Sequence, residues 1–438
     1  MLPVFIKEKI KTLKKRPVLE KIKKYLDMPE IIVFLGMRQT GKTSLLYLTT
    51  QLLLKKGIPD SNLFYFSLED PTLLSSFNQN IKELEIFLKT QKINKKFKTY
   101  ILIDEIQYLE NPSNFLKYYA DNFPELKFIV TGSSTFQIKK KFKDSLAGRK
   151  KSILIKPLDF REFLYFKKQN LNINFNIHNL DQIKNIQISK IIQENIQEQF
   201  REYLLFGGHP KIPLLPSKEL KIEELQEIYN DYIRKDIKDL AKIENLDAYN
   251  SLIQILASQI GNLFNVIEIS NTINLNHITL KKYLFLLENS FVVNLLKPYF
   301  QNKRKEISKM PKIYLEDTGI HNIILSDFKQ IKLRSDIGQI VENFVFNELD
   351  KNKMPADRIN FWRTTSKQEV DFIYQTREGL IIPIEVKYKS FENLKIPSGI
   401  KSFVNLYHAK KAIVITKDFY KIIKYKETEI YFIPVWLI

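Results

Sequence analysis

Eight consecutive residues carry the most specific chemistry in the chain: Gly36-Met37-Arg38-Gln39-Thr40-Gly41-Lys42-Thr43. Glycines at the first and sixth positions let a backbone bend tightly and bring its N–H groups against phosphate oxygens. Lys42 at the seventh position reaches β- and γ-phosphates, and the Thr43 hydroxyl suits Mg²⁺. The amides of Arg38, Gln39, Thr40 and Ser44 complete the predicted nucleotide cradle. The chain has only 12 glycines in 438 residues, so this spacing beside Lys-Thr is informative. The surroundings fit as well. Ile31-Ile32-Val33-Phe34-Leu35 reads as a buried strand before the loop, and Ser44-Leu45-Leu46-Tyr47-Leu48 opens a helix after it. A helix start there adds unpaired N–H donors and a partial positive charge.

A second segment answers the first. Thr99-Tyr100-Ile101-Leu102-Ile103-Asp104-Glu105 reads as a buried strand ending in two carboxylates. Asp104 suits Mg²⁺ opposite Thr43, and Glu105 suits the general base for water attacking the γ-phosphate. The competing reading is a helix N-cap followed by a first-turn acid. Lys127 to Thr131 is another strand, and Ser133 in the following Gly132-Ser133-Ser134 could sense the γ-phosphate or simply cap a helix. Arg149, after Ser145-Leu146-Ala147-Gly148, could neutralise phosphoryl charge as an arginine finger or stand as a surface arginine.

The C-terminal third holds a different constellation. Glu342 lies on the predicted amphipathic helix Gly338 to Phe346, and Asp371 on the strand Glu369 to Tyr374. Glu385 and Lys387 lie on the strand Leu380 to Tyr388. Glu342, Asp371, Glu385 and Lys387 resemble the PD-(D/E)XK nuclease arrangement. Hard carboxylate oxygens on adjacent strands bind Mg²⁺. A lysine two residues after an acid shares its strand face and can orient a water. The alternatives are a nuclease fold kept for binding, or a charged edge strand whose acids Lys387 itself satisfies.

These residues need a scaffold. Strands near 31–35, 63–67, 100–104 and 127–131 alternate with helices, which predicts a parallel sheet covered on both faces. One helix is expected from about Pro3 to Leu26, and a helical segment from about Leu171 to Gln199. Gly207-Gly208-His209-Pro210 reads as a break, with helices resuming near Lys218. Val266 to Thr272 and Asn276 to Glu288 read as a helix-turn-helix, with a wing from Phe291. In a DNA reader Asn276, His277, Thr279 and Lys282 would face bases or phosphates; the other reading is a packing module.

Length and composition predict two or three globular domains: hydrophobic residues are 44% and charged residues 27%. The absence of cysteine excludes disulfides, thiolate zinc sites and cysteine nucleophiles. No apolar run is long enough to span a bilayer and the basic N-terminus lacks a signal core, so a soluble cytoplasmic protein with no membrane partner is expected. A net charge of +20 suits nucleic acid, or reflects a proteome in which lysine is the default surface residue.

Residues 1 to about 240 resemble an AAA+-superfamily P-loop ATPase of the prokaryotic type. The whole chain is similar to two-part prokaryotic ATPases with a C-terminal domain of unknown function. Gly36 to Thr43, Leu102 to Glu105, Val130 to Ser134, Leu146 to Arg149, Tyr203 to Pro210, Glu369-Val370-Asp371-Phe372 and Ile384-Glu385-Val386-Lys387 carry the likeness. It implies an α/β fold: a parallel-sheet P-loop NTPase domain with a helical extension (1–215), a helical or winged-helix module (216–330) and an α/β restriction-endonuclease-like domain (331–438). The implied ligands are ATP and Mg²⁺, with DNA and a homo-oligomer as candidate partners. The alternative is a nucleotide-switched regulatory protein whose C-terminal domain is an inert docking platform.

Overall fold

The computed structural model describes residues 2–132, 146–169, 175–184, 189–233, 243, 245–300, 309–389 and 395–438. The chain divides into two compact units, the first built mainly from Met1–Lys156 and the second from Pro157–Asn230, Ile243–Glu288 and Val292–Ile438.

In the first unit the strands β1 (Ile31–Leu35), β2 (Leu63–Ser67), β3 (Thr99–Asp104), β4 (Leu126–Gly132) and β5 (Lys150–Leu154) form one sheet in the order β2-β3-β4-β1-β5. Every neighbouring pair is parallel. Near-continuous Ile, Leu, Val and Phe make these strands fit a sheet buried on both faces. Ile32 and Phe34 pack with α1 (Val4–Thr12), α2 (Val18–Lys23) and α3 (Lys42–Lys55). Ile31, Val33 and Leu35 join the opposite layer with α4 (Pro71–Gln79), α5 (Glu83–Lys89) and α6 (Pro112–Asn122). The four strands expected from sequence are present. The fifth, β5, was not expected, because Lys150-Lys151-Ser152 interrupts its apolar pattern; such lysines are typical of an edge strand.

The single N-terminal helix expected from Pro3 to Leu26 is two helices. Pro17 lies between them, and the break serves a purpose. Arg16 donates from Nη1 to the Thr40 carbonyl at 3.0 Å and from Nη2 to the Lys156 carbonyl at 3.0 Å, fastening the phosphate-binding loop from behind. Arg16→Ala is expected to lower ATP affinity several-fold while leaving the sheet folded, measured by nucleotide titration beside a thermal melt. An unchanged affinity would show that the loop holds its shape without this clamp.

The second unit begins with α7 (Phe160–Phe166) and α8 (Lys190–Phe206). The helix expected over 171–199 starts only at Lys190. Ser189 caps it, and the described residues before it make turns and one 3₁₀ turn at Leu180–Ile183. Asn176 shows why: its side chain accepts the His178 N–H at 3.0 Å, a local bond that competes with the helix. After α9 (Lys218–Asp231) come α10 (Leu246–Ser258), α11 (Val266–Thr272) and α12 (His277–Asn289). The hairpin of β6 (Val293–Leu296) and β7 (Lys312–Leu315) follows them. Two short helices and a hairpin thus stand where the helix-turn-helix and wing were expected. Asn265 and Asn276 cap the two helices, Asn276 by accepting the Thr279 N–H at 2.8 Å. Asn276 is thus committed partly to its own helix, while His277, Lys281 and Lys282 are exposed.

The Gly207-Gly208 break is a helix lock. Gly207 has φ +75°, and a β-carbon there would lie 2.0 Å from the Asp317 carboxylate. Asp317 accepts the N–H groups of Gly208 (2.7 Å), Gly319 (2.8 Å) and Ile320 (3.1 Å), joining the end of α8 to the start of α13 (Thr318–Ile324). Asn322 returns two bonds to the carbonyls of Leu204 and Leu205, at 3.0 and 2.8 Å.

The C-terminal part of this unit contains α14 (Ile337–Asn352), β8 (Arg358–Arg363), β9 (Glu369–Gln375) and β10 (Ile381–Lys387). It continues with α15 (Ser398–Tyr407), β11 (Lys411–Thr416), β12 (Lys421–Tyr425) and β13 (Thr428–Pro434). The sheet order is β12-β13-β11-β10-β9-β8. β8, β9 and β10 form an antiparallel meander, and β11 runs parallel to β10 after the α15 crossover. The three expected strands are present; β11 to β13 extend the sheet beyond them. Among the described residues no helix is long and apolar enough to cross a membrane.

Candidate functional site

The phosphate-binding loop stands between the C-terminal end of β1 and the start of α3. Gly36 has φ +154°, and a β-carbon there would meet the Ile155 carbonyl oxygen at 2.1 Å; Gly41 has φ +91°. Both positions therefore exclude larger residues, one by close approach and one by conformation. Gln39, at φ +58°, adds a further left-handed residue to the bend. Thr40 closes the loop internally by donating to the Met37 carbonyl at 2.8 Å. Lys42 is buried and donates to the Gly36 and Met37 carbonyls at 3.0 and 2.9 Å. Arg38 is also buried, and its positive charge opposes the burial that raises the Tyr108 phenol.

Strand order brings the acidic tip to this loop. β4 lies between β1 and β3, so the ends of all three are neighbours. The Thr43 hydroxyl donates to Asp104 Oδ2 at 2.8 Å, and Thr131 donates to Asp104 Oδ1. Tyr65 donates to Asp104 Oδ2 at 3.2 Å. Burial pushes the Asp104 carboxyl above its usual range; Thr131 opposes that shift, the Glu105 charge adds to it, and Thr43 and Lys42 oppose it. Burial and the Asp104 charge likewise hold the Tyr65 phenol well above its usual range. Glu105 adopts φ +56°, a conformation that costs about 1–2 kcal/mol for a residue with a β-carbon. Its N–H donates to Thr131 at 2.9 Å and its carboxylate accepts from Gln107.

A hydroxyl and a carboxylate 2.8 Å apart beside a buried lysine are hard oxygen donors fit for Mg²⁺ on a triphosphate. Arg16 and Tyr65 are contributors that sequence reasoning missed. Neither sits in a motif, and only strand pairing and the α1–α2 break bring them to the loop.

Arg149 is placed differently. It precedes β5, whose Lys150 pairs with Ile31 at the start of β1, whereas the loop follows the other end of β1. Five residues at about 3.3 Å each separate the two ends. Its guanidinium pairs with Asp121 at 2.6 Å. This exposed ion pair is what the surface-arginine reading expects, and it lies at the opposite end of β1 from this chain's own phosphate-binding loop. Ser133 lies outside the described residues.

A second constellation belongs to the C-terminal sheet. Between the pairs Asn360↔Ile373 and Trp362↔Val370 the register slips, so β9 carries a bulge at Asp371-Phe372. Bulges re-aim side chains, and Asp371 Oδ2 accepts the Val386 N–H of β10 at 2.8 Å. Glu342 accepts from the Tyr314 hydroxyl at 2.6 Å and from Lys312 at 3.1 Å. Glu385 pairs with Lys387 at 2.6 Å, while its Oε2 is buried with no hydrogen-bond partner.

Burial and the Asp371 charge push the carboxyls of Glu342 and Glu385 up to about 7 and about 8. Burial would lower the Lys312 ammonium, but Glu342, Asp371 and Glu369 outweigh it and hold the group above its ordinary value. The open Mg²⁺ cage expected from Glu342, Asp371 and Glu385 does not appear in that form. Among the described residues no group of three acidic, histidine or cysteine side chains is arranged to hold a metal. Lys312, which the sequence did not single out, stands beside Glu342, Glu369 and Asp371, and Lys387 beside Glu385.

Residues 28–164 match the model of an AAA domain. Residues 197–331 and 337–438 match two domains of unknown function, DUF8612 and DUF4143. An uncharacterized protein of Haemophilus influenzae is 26% identical over 96% of this chain and 97% of its own length. The uncharacterized protein MJ1544 of Methanocaldococcus jannaschii is 29% identical over 78% of this chain and 72% of its own. Among solved structures, AMPPCP-bound DnaA from Aquifex aeolicus is similar over 64% of this chain and 90% of that chain, at 17% identity and a TM-score of 0.28.

Proposed function

Residues 28–164 form an AAA+-like P-loop ATPase domain, and on that premise we propose a protein that turns over ATP to control a nuclease-like, nucleic-acid-facing C-terminal domain. The observation that carries the first half is the Thr43–Asp104 contact at 2.8 Å directly after the buried Lys42. The backbone amides of Arg38 to Ser44 bind the phosphates and Lys42 balances the β- and γ-charges. Thr43 and Asp104 would hold Mg²⁺, which supplies charge neutralisation on the phosphoryl oxygens. Glu105 takes the proton of the attacking water, and the Thr131 bond fixes the main chain that carries it.

The second half rests on topology and charge. A helix bearing Glu342, a meander bearing Asp371 and Glu385, and a parallel β10–β11 crossover support the restriction-endonuclease-like reading. Beyond Lys387 opens a cavity of about 280 Å³ lined by Arg201, Lys332, Tyr388, Lys389, Lys417 and Trp436, among others. Cations interleaved with aromatic rings suit a phosphate backbone with stacked bases.

The test is phosphate release with and without duplex DNA across a salt series, together with cleavage of plasmid by wild type and Asp371→Ala in Mg²⁺ or Mn²⁺. Stimulation that collapses with salt, and cleavage lost in the variant, are the expected results. Rates indifferent to DNA at every salt concentration would remove nucleic acid from the proposal. Equal cleavage by both proteins would remove the nuclease site. The other reading, a nucleotide-switched docking platform, is favoured by one observation: the C-terminal acids already hold a cation of their own, Lys312. Tight ATP binding with negligible multiple turnover would select it.

A further inference from the structure

We infer that Lys312 is a tethered cation filling the acidic centre of the C-terminal domain, and that a divalent metal enters only when this side chain withdraws. The inference rests on reading Glu342, Asp371 and Glu385 as a cation-binding centre, and it adds what regulates that centre.

The geometry is compact. Lys312 Nζ lies 2.6 Å from Glu369 Oε1, 3.1 Å from Glu342 Oε1 and 3.8 Å from Asp371 Oδ1. The lysine is only 3% exposed, and Glu385, whose Oε2 has no partner, is 6% exposed. Several carboxylates brought together away from water repel one another strongly unless a cation stands among them. One ammonium supplies a single charge and donates at most three hydrogen bonds. Lys387 pairs with the other Glu385 oxygen at 2.6 Å, and Glu385 Oε2 keeps no hydrogen-bond partner, an acceptor that a divalent ion would take.

The position of Lys312 in the chain suggests what moves it. It is the first residue of β7 and pairs with Leu296 of β6, so it belongs to the wing that follows the helix-turn-helix. On the same strand Tyr314 also reaches Glu342, at 2.6 Å. Displacement of this hairpin would therefore withdraw a cation and a hydroxyl together, leaving the acids open to metal. A ligand that shifts the wing needs no contact with the acids to open the site.

The experiment is Mn²⁺ titration of the full chain without nucleotide, read by the spin-resonance signal of free Mn²⁺. It compares wild type, Lys312→Met and the double variant Lys312→Met/Asp371→Asn. Lys312→Met is expected to gain one Mn²⁺ site per chain, on the order of tenfold tighter or more than wild type shows there. Adding Asp371→Asn should abolish that site. A thermal melt gives a second readout: Mn²⁺ should raise the melting temperature of Lys312→Met more than that of wild type. If Lys312→Met fails to fold, Lys312→Met/Glu369→Gln, which also removes one acid, takes its place in the same titration.

Equal Mn²⁺ affinity in wild type and variant, or a gained site indifferent to Asp371→Asn, overturns the inference. Plasmid cleavage is scored separately. A variant that gains Mn²⁺ but cuts nothing leaves the tethered cation standing and rejects the nuclease reading alone.

Discussion

Glu105→Gln is expected to bind ATP with wild-type affinity while steady-state phosphate release falls about 10²–10⁴-fold. The substitution keeps the size and shape of the side chain. It also leaves the main chain free to hold φ +56° and the N–H bond to Thr131. What disappears is the carboxylate proposed to accept a proton from the attacking water. Asp104 cannot replace it, because both its oxygens are engaged by Thr43, Tyr65 and Thr131. Titration with a fluorescent nucleotide and measurement of released phosphate separate the two quantities. Wild-type turnover in the variant would remove Glu105 from the chemistry. Lost binding would show instead that its charge maintains the loop.

Lys42→Ala is expected to lose nucleotide binding altogether at micromolar ATP. In the structure the ammonium is held by the Gly36 and Met37 carbonyls, at 3.0 and 2.9 Å, poised inside the loop. With a triphosphate seated it is expected to reach the β- and γ-oxygens. Two charge-assisted hydrogen bonds at about 1.5–3 kcal/mol each correspond to an affinity loss of roughly 10²–10⁴-fold. Calorimetric titration with ATP and Mg²⁺ measures the loss, and a thermal melt of the ligand-free protein shows whether the loop survives it. Unchanged affinity would contradict the assignment of the loop itself.

The nucleotide site was largely legible because its parts are local. Gly36, Gly41, Lys42 and Thr43 lie within one bend, and the positive φ of Gly41 is a local requirement, whereas the Ile155 carbonyl that crowds Gly36 comes from a distant segment. Asp104 and Glu105 were legible because an apolar run ending in two acids is a local pattern. Arg16 and Tyr65 were not. Arg16 reads as one of many basic residues near the N-terminus, and its importance depends on a helix break that points it at Thr40 and Lys156. The Asn-rich stretch before Lys190 misled for the opposite reason. Its helical periodicity was real, but asparagine side chains offer the backbone local alternatives that periodicity does not count.

The amino-acid order alone determined the strand–loop–helix that grips phosphate, the acidic strand tip, and the presence of Glu342, Asp371, Glu385 and Lys387 on a helix and two strands. Those features depend on backbone conformation and spacing within short segments. Only the folded chain decided which ends of the sheet meet. It put Thr43, Thr131 and Asp104 together through the order β3-β4-β1, and it sent Arg149 to the opposite end of β1. It also put Lys312 among the C-terminal acids, from a strand some thirty residues before the first of them, Glu342. Coulombic repulsion among buried carboxylates demands a cation, but it does not specify where in the sequence that cation resides.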